Sequence, residues 1–225
     1  MELATSSNAR LICAQDLENK KEVDQLKIVI LGPDGAGKSS VIQGLLDKLQ
    51  QGGYSVAMRH LKPQIIVRRR GAPVTIVIDP HGKPARSRFS SVAKIFVWLI
   101  EEWCADLFQD KQDTLLICDR YYHDLLIDPI RYRYGGPLWI ARLVGSVFPQ
   151  PMLWVLLDAP TEILQARKQE VSVEETMRQR SEYLSFVQKQ SRHAIVDASR
   201  PLDEVIASVE SAILCAVNQG DDQRG

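Results

Sequence analysis

Hydrophobic positions fall in two alternating kinds of stretch. Short, nearly continuous apolar runs occupy residues 26–31, 54–58, 114–118 and 152–157, with a weaker one at 192–196. Runs of this length and β-branched content read as central strands of a parallel sheet, covered on both faces. Between them lie segments with helical spacing. Val41, Ile42, Leu45, Leu46 and Leu49 form one such stripe, stopped by Gly52-Gly53. Val92, Phe96, Leu99, Trp103 and Leu107 predict a long helix over 89–109 with that stripe inward. Further helices are predicted over 138–148, 161–169 and 173–189, the last with a Ser172/Glu175 capping box. Val205, Ile206, Val209 and Ile213 mark a final one. Strand and helix alternating throughout predict a single doubly wound α/β sheet.

Three segments depart from the alternation. Residues 1–24 read as a polar tail and 219–225 as another, leaving one domain over 25–218. Residues 60–87 carry four prolines, two glycines and the run Arg68-Arg69-Arg70. They read as a flap-like insertion, the arginines being either a solvated arm or a cover for an anionic substrate.

Candidate chemistry begins where the first strand ends. Gly32-Pro33-Asp34-Gly35-Ala36-Gly37-Lys38-Ser39 has the Gly-x4-Gly-Lys-Ser spacing of a phosphate-binding loop, between a strand and a helix as that motif requires. The glycines let backbone N–H groups turn inward at a helix N-terminus that favours anions. Lys38 supplies a charge for the outer phosphates, and the Ser39 hydroxyl suits a Mg²⁺ that bridges them. Asp34 points toward an acceptor and can take a hydrogen bond from a sugar hydroxyl. Asp119-Arg120 ends the third apolar run, at the carboxyl edge where such sheets bind ligands. Arg120 is the candidate grip on an anionic acceptor and Asp119 a metal or proton partner, unless the two are a structural ion pair. Arg167, Lys168, Arg178 and Arg180 are further cations for a transferring phosphoryl group. Arg131 and Arg133 either touch the acceptor or only pack. His60, His81, His123 and His193 have no metal-ligand spacing and read as surface or packing residues.

Composition narrows this further. Hydrophobic residues are 45% of the 225 and charged residues 25%, with net charge zero. No whole-chain field pulls toward nucleic acid or an anionic membrane, so neither is an expected partner. Cys104, Cys118 and Cys215 lie in apolar stretches and read as core residues, and no two cysteines have CxxC spacing. A reduced, cytoplasmic location is the expectation. No cationic leader opens the sequence, and the longest apolar stretch, 95–100, is too short to cross a bilayer. A guanine-reading Asn-Lys-x-Asp and a Leu-Ser-Gly-Gly are absent. A small ATP-dependent phosphotransferase fits better than a GTPase or a transporter ATPase.

Four motifs in order resemble the thymidylate kinases, within the nucleoside monophosphate kinases. They are the loop through Ser40 with its Asp34, Asp119-Arg120-Tyr121, Leu157-Asp158-Ala159-Pro160 leading to Arg167, and Asp197-Ala198-Ser199-Arg200-Pro201-Leu202. The resemblance implies a five-stranded parallel P-loop sheet with helices on both faces and a lid over 160–182. It implies ATP and Mg²⁺, the latter at Ser39 and Asp119, with catalysis by Lys38, Asp119, Arg120 and Arg167. Gly32, Asp34, Gly35, Ala36, Gly37, Lys38, Ser39, Ser40, Arg167 and Arg200 would hold the nucleotide, and Asp34, Arg120 and Tyr121 the acceptor. A homodimer is also implied. The departures fall on the acceptor side. His60-Leu61-Lys62-Pro63 replaces an Arg-Glu-Pro, residues 95–106 hold no arginine, and His123-Asp124 and Asp128-Pro129-Ile130-Arg131-Tyr132 replace the base-reading residues. Three functions stay open: a dTMP-like nucleotide as acceptor, a sugar or sugar phosphate as acceptor, and ATP binding without catalysis.

Overall fold

The computed structural model describes residues 26–60, 87–108 and 114–222. The expectations for 1–24, for most of 60–87 including Arg68-Arg69-Arg70, and for His81 lie outside the described residues. Among the described residues five strands alternate with seven helices. In chain order these are β1 (Leu26–Leu31), α1 (Lys38–Gln51), β2 (Ser55–His60), α2 (Arg88–Phe108), β3 (Thr114–Asp119), α3 (Asp124–Ile127) and α4 (Leu138–Ser146). Then follow β4 (Leu153–Asp158), α5 (Thr161–Arg167), α6 (Val173–Val187), β5 (His193–Asp197) and α7 (Leu202–Asp222). All neighbouring strands pair in parallel, in the order β2-β3-β1-β4-β5.

The apolar runs are buried on both faces because alternate residues feed two separate cores. Ile28 and Ile30 of β1 meet Val41, Ile42 and Leu45 of α1 and Val205 and Val209 of α7. Val29 and Leu31 meet Ile95 and Trp98 of α2, Val144 of α4 and Tyr183 of α6. Chain leaving β1 therefore goes to one face and chain leaving its neighbour β3 to the other. The crevice between their carboxyl ends is where a doubly wound sheet takes its ligand.

The long helix α2 is rotated from its predicted stripe. Its buried line is Ser91, Ile95, Trp98 and Glu102, whereas Phe96 is 46% exposed and Trp103 48%. Glu102 decides the phase. It accepts from Lys27 at 2.8 Å, Arg59 at 2.5 Å and Tyr121 at 3.1 Å, so a carboxylate lies beneath the helix on a cationic patch of the sheet. Trp103 keeps one tie, an indole N–H donating to the Val147 carbonyl at 3.3 Å. Two cysteine expectations are corrected likewise: Cys118 is buried, but Cys104 and Cys215 are exposed. Helix α7 also continues to Asp222, past the polar tail expected from residue 219.

Candidate active site

The phosphate loop turns as its sequence requires. Gly35 and Gly37 adopt φ of 84° and 78°, a region costly for residues with a Cβ. At Gly35 a Cβ would also run into the Leu164 carbonyl of α5. Gly37 caps α1, whose first residue, Lys38, turns back over the loop. Its ammonium donates to the Gly32 carbonyl at 2.6 Å and the Pro33 carbonyl at 2.8 Å. Burial, with Arg120 nearby, lowers the Lys38 pKa to about 7.

At the end of β3, Arg120 takes φ of 68°, held by its N–H to the Ile30 carbonyl at 3.2 Å. Its guanidinium does not pair with Asp119. It donates to Asp34 at 2.9 Å and to Asp124 at 2.6 Å. Asp124 is fully buried and also accepts from Tyr132 at 2.7 Å and from Tyr183 of α6. Burial disfavours its charge, but Arg120 and the two tyrosine hydroxyls outweigh that and hold its carboxyl below the usual range.

Arg131 lies with Arg120 on the same loop carboxylate. It reaches the loop, donating to Asp34, to Asp128 at 3.2 Å and to Glu170 at 2.9 Å. Both Asp34 oxygens thus accept from guanidiniums. Against the opposing pull of burial, Lys38, Arg120 and Arg131 bring the Asp34 pKa to about 2.

A cavity of about 440 Å³ joins these parts. Lys38, Ser39 and Ser40 line it from the loop, Asp119 and Arg120 from β3, and Arg131, Arg167 and Lys168 from the opposite wall. A second cavity of about 250 Å³ continues past Gly37 and Ser40 to Ala198, Arg200 and Leu202, with Arg167 on both. Arg167 is anchored by donating to the Ala198 carbonyl at 2.7 Å. A larger cavity of about 790 Å³ opens beside Pro151 and Met152, at the amino end of β4. No residue of the phosphate loop lines it, so its size does not make it the site.

Asp119 is poised for a ligand. One oxygen, Oδ2, lies 3.0 Å from His60 Nδ1, and the other, Oδ1, is buried with no hydrogen-bond partner among the described residues. With the Ser39 hydroxyl in the same cavity, the protein offers two hard oxygen donors that fit a Mg²⁺ carrying phosphate and water as its remaining ligands.

Several predicted residues lie elsewhere. Tyr121 is core: 1% exposed, its hydroxyl donates to Glu102 and to the Pro149 carbonyl, and it lines neither cavity. Arg178 is tied to Glu175 and the Ile127 carbonyl, and Arg180 to both oxygens of Asp158. Neither faces the phosphate cavity. Arg200 sits on the second cavity but is largely exposed. His60 was read as a surface or packing residue; it is paired with Asp119 in the β2–β3 register. A β2 predicted to stop at residue 58 hid that pairing. His123 is a packing residue, as expected: buried, donating to the Gly145 carbonyl at 3.1 Å and stacked on Phe186, with burial lowering its pKa to about 4.

With this geometry, the curated relatives complete the picture. A thymidylate kinase of Pediococcus pentosaceus is 27% identical over 202 residues, covering 77% of this chain and 90% of that protein. A probable thymidylate kinase of Saccharolobus solfataricus is 28% identical over 199 residues, covering 81% and 93%. One of Lacticaseibacillus casei is 23% identical over 205 residues, covering 80% and 91%. Over about four-fifths of its length the chain is similar to these thymidylate kinases. No protein-family model matches it. Among the described residues no helix is long and apolar enough to cross a membrane.

Proposed function

We propose that the protein transfers the γ-phosphoryl group of ATP to a nucleoside monophosphate of the dTMP class. The observation that carries this is the shared cavity, which gathers the phosphate loop, the Asp119-Arg120 edge and three opposing cations into one volume. Phosphoryl transfer needs in-line positioning and cations around the moving group more than covalent help. Lys38 would leave the Gly32 and Pro33 carbonyls for phosphate oxygens, recovering its lost solvation with charge-assisted bonds. Arg167 sits where the two cavities meet, between the expected phosphate and adenine positions. Mg²⁺ at Ser39 and Asp119 would supply charge neutralisation between the outer phosphates. Arg120, gripped from behind by Asp124, would hold the acceptor against the donor. The bound acceptor is a small molecule, and a reducing cytoplasm is the setting that the cysteine usage supports.

The test is a panel of nucleoside monophosphates, sugar phosphates and unphosphorylated sugars, incubated with ATP and Mg²⁺ and read by diphosphate product and ADP. Diphosphate formed from dTMP, or from another nucleotide, and lost in Lys38→Ala supports the reading. Turnover with a sugar alone would replace it. ATP binding with no turnover on any acceptor would leave a non-catalytic nucleotide-binding protein.

A further inference from the structure

Arg131 matches nothing in the motifs that mark the chain as thymidylate kinase-like, yet it occupies the acceptor wall of the phosphate cavity. Its guanidinium and that of Arg120 approach the two oxygens of one carboxylate from opposite sides, Arg120 on Oδ1 of Asp34 and Arg131 on Oδ2. Each arginine is also fixed from behind. Asp124, fully buried, holds Arg120, and Asp128, 2% exposed, holds Arg131 through both its backbone N–H at 3.1 Å and its side chain. Two planar forks aimed at one small tetrahedral or trigonal oxyanion form the arrangement that grips phosphate.

The charge balance agrees once the groups are sorted by where they face. Among the residues lining the cavity, Lys38, Arg120, Arg131, Arg167 and Lys168 oppose only Asp34 and Asp119. Asp124 and Asp128 lie behind the arginines and do not line it. The remaining partner, Glu170, sits just after α5 and bonds Arg131 at 2.9 Å and Lys168 at 2.7 Å. Glu170 does not itself line the cavity, but it shares with Asp34 the Arg131 Nη2 nitrogen, on the side of the guanidinium turned to the loop.

We infer that Arg131 is a second phosphate-gripping residue of the acceptor site, that with Arg120 it selects a phosphomonoester dianion over an uncharged alcohol, and that Glu170 holds its place until that dianion arrives. This rests on the kinase reading above and deepens it. The chemistry supports the choice of acceptor. A phosphomonoester dianion attacks the γ-phosphorus with an oxygen that carries no proton; the new P–O bond forms as the bond to the β,γ-bridging oxygen breaks, and ADP leaves. An alcohol would have to surrender a proton, and of the two carboxylates lining the cavity Asp34 is clamped by two arginines while Asp119 is the expected metal ligand.

The test is calorimetric binding, which does not depend on turnover. Wild type, Arg131→Gln, Arg131→Lys and Glu170→Gln are titrated with dTMP and a set of other nucleoside and sugar monophosphates, each beside its dephosphorylated counterpart, and separately with ATP. Expected are preference for the monophosphate in wild type, at least a tenfold loss of it in Arg131→Gln, partial rescue in Arg131→Lys, and tighter monophosphate binding in Glu170→Gln, with ATP affinity within twofold throughout. A merely structural salt bridge would weaken binding in Glu170→Gln too, and that result overturns the inference. So does a wild type that binds no monophosphate better than its counterpart. If monophosphates bind as expected but no diphosphate forms, the kinase reading fails and the Arg131 assignment stands.

Discussion

Arg120 Nη2 lies 2.9 Å from Asp34 Oδ1, and this contact joins the end of β3 to the phosphate loop 86 residues earlier. It places the residue expected to hold the acceptor directly against the loop expected to hold the donor. Because the guanidinium is used on two sides, by Asp34 and Asp124, a point charge cannot replace it. Arg120→Lys is expected to lower kcat/KM by about 10²–10³-fold, the range seen when one preorganised donor is removed. Steady-state kinetics with the best acceptor of the panel checks this, and a loss below threefold would remove Arg120 from the site.

Lys38 makes nucleotide binding proton-linked. Its pKa of about 7 in the free protein means that it is mostly neutral at pH 8. A bound polyanion favours the charged ammonium, so binding above pH 7 is expected to take up a proton. Affinity should fall as pH rises past 7. Calorimetry of ATP binding at pH 8, in buffers of different ionisation enthalpy, reads the uptake directly, and Lys38→Met should abolish it.

Asp34 sets part of the acid limb of stability. Its folded pKa of about 2 lies below the model-peptide 3.8, so its contribution is complete above pH 4 and lost as pH falls through 2. The full difference corresponds to roughly 2 kcal/mol. Denaturant unfolding from pH 5 to 2 should fall less steeply in Asp34→Asn than in wild type.

Tyr183→Phe deletes one of the hydrogen bonds to the buried Asp124 carboxylate while keeping the ring in the core. A buried acceptor deprived of a donor costs about 1–3 kcal/mol. Chemical denaturation should register that loss. Activity is expected to fall as well, because Asp124 orients Arg120.

The rotation of α2 has its own test. Ile95→Ala removes a fully buried side chain and should cost about 2–5 kcal/mol. Phe96→Ser, on the exposed side, should stay within about 1 kcal/mol. The reverse ranking would restore the stripe predicted from sequence.

The fold was legible because its signals are local. Each strand is a short apolar run, and Gly52-Gly53 and Ser172 mark helix ends by their own chemistry; Ser172 Oγ accepts from the Glu175 N–H at 3.3 Å. The phosphate loop was legible for the same reason. What could not be read depends on distant partners. Glu102 looks like a surface residue until Lys27 and Arg59 are placed beneath it, 75 and 43 positions away. Arg131 meets Asp34 across 97 positions, and Tyr183 meets Asp124 across 59. Tyr121 lies past the end of β3, where Arg120 turns the chain at a positive φ; Asp119 and Arg120 line the cavity while the Tyr121 ring is in the core, and adjacency within a motif does not reveal that turn.

The most direct measurement is formation of a nucleoside diphosphate from ATP and a nucleoside monophosphate by the purified full chain with Mg²⁺, beside Lys38→Ala. The expected result is stoichiometric diphosphate and ADP with at least one nucleotide acceptor, reduced by several orders of magnitude in Lys38→Ala. Equal product from both proteins, or none with any nucleotide while an unphosphorylated sugar turns over, would contradict it.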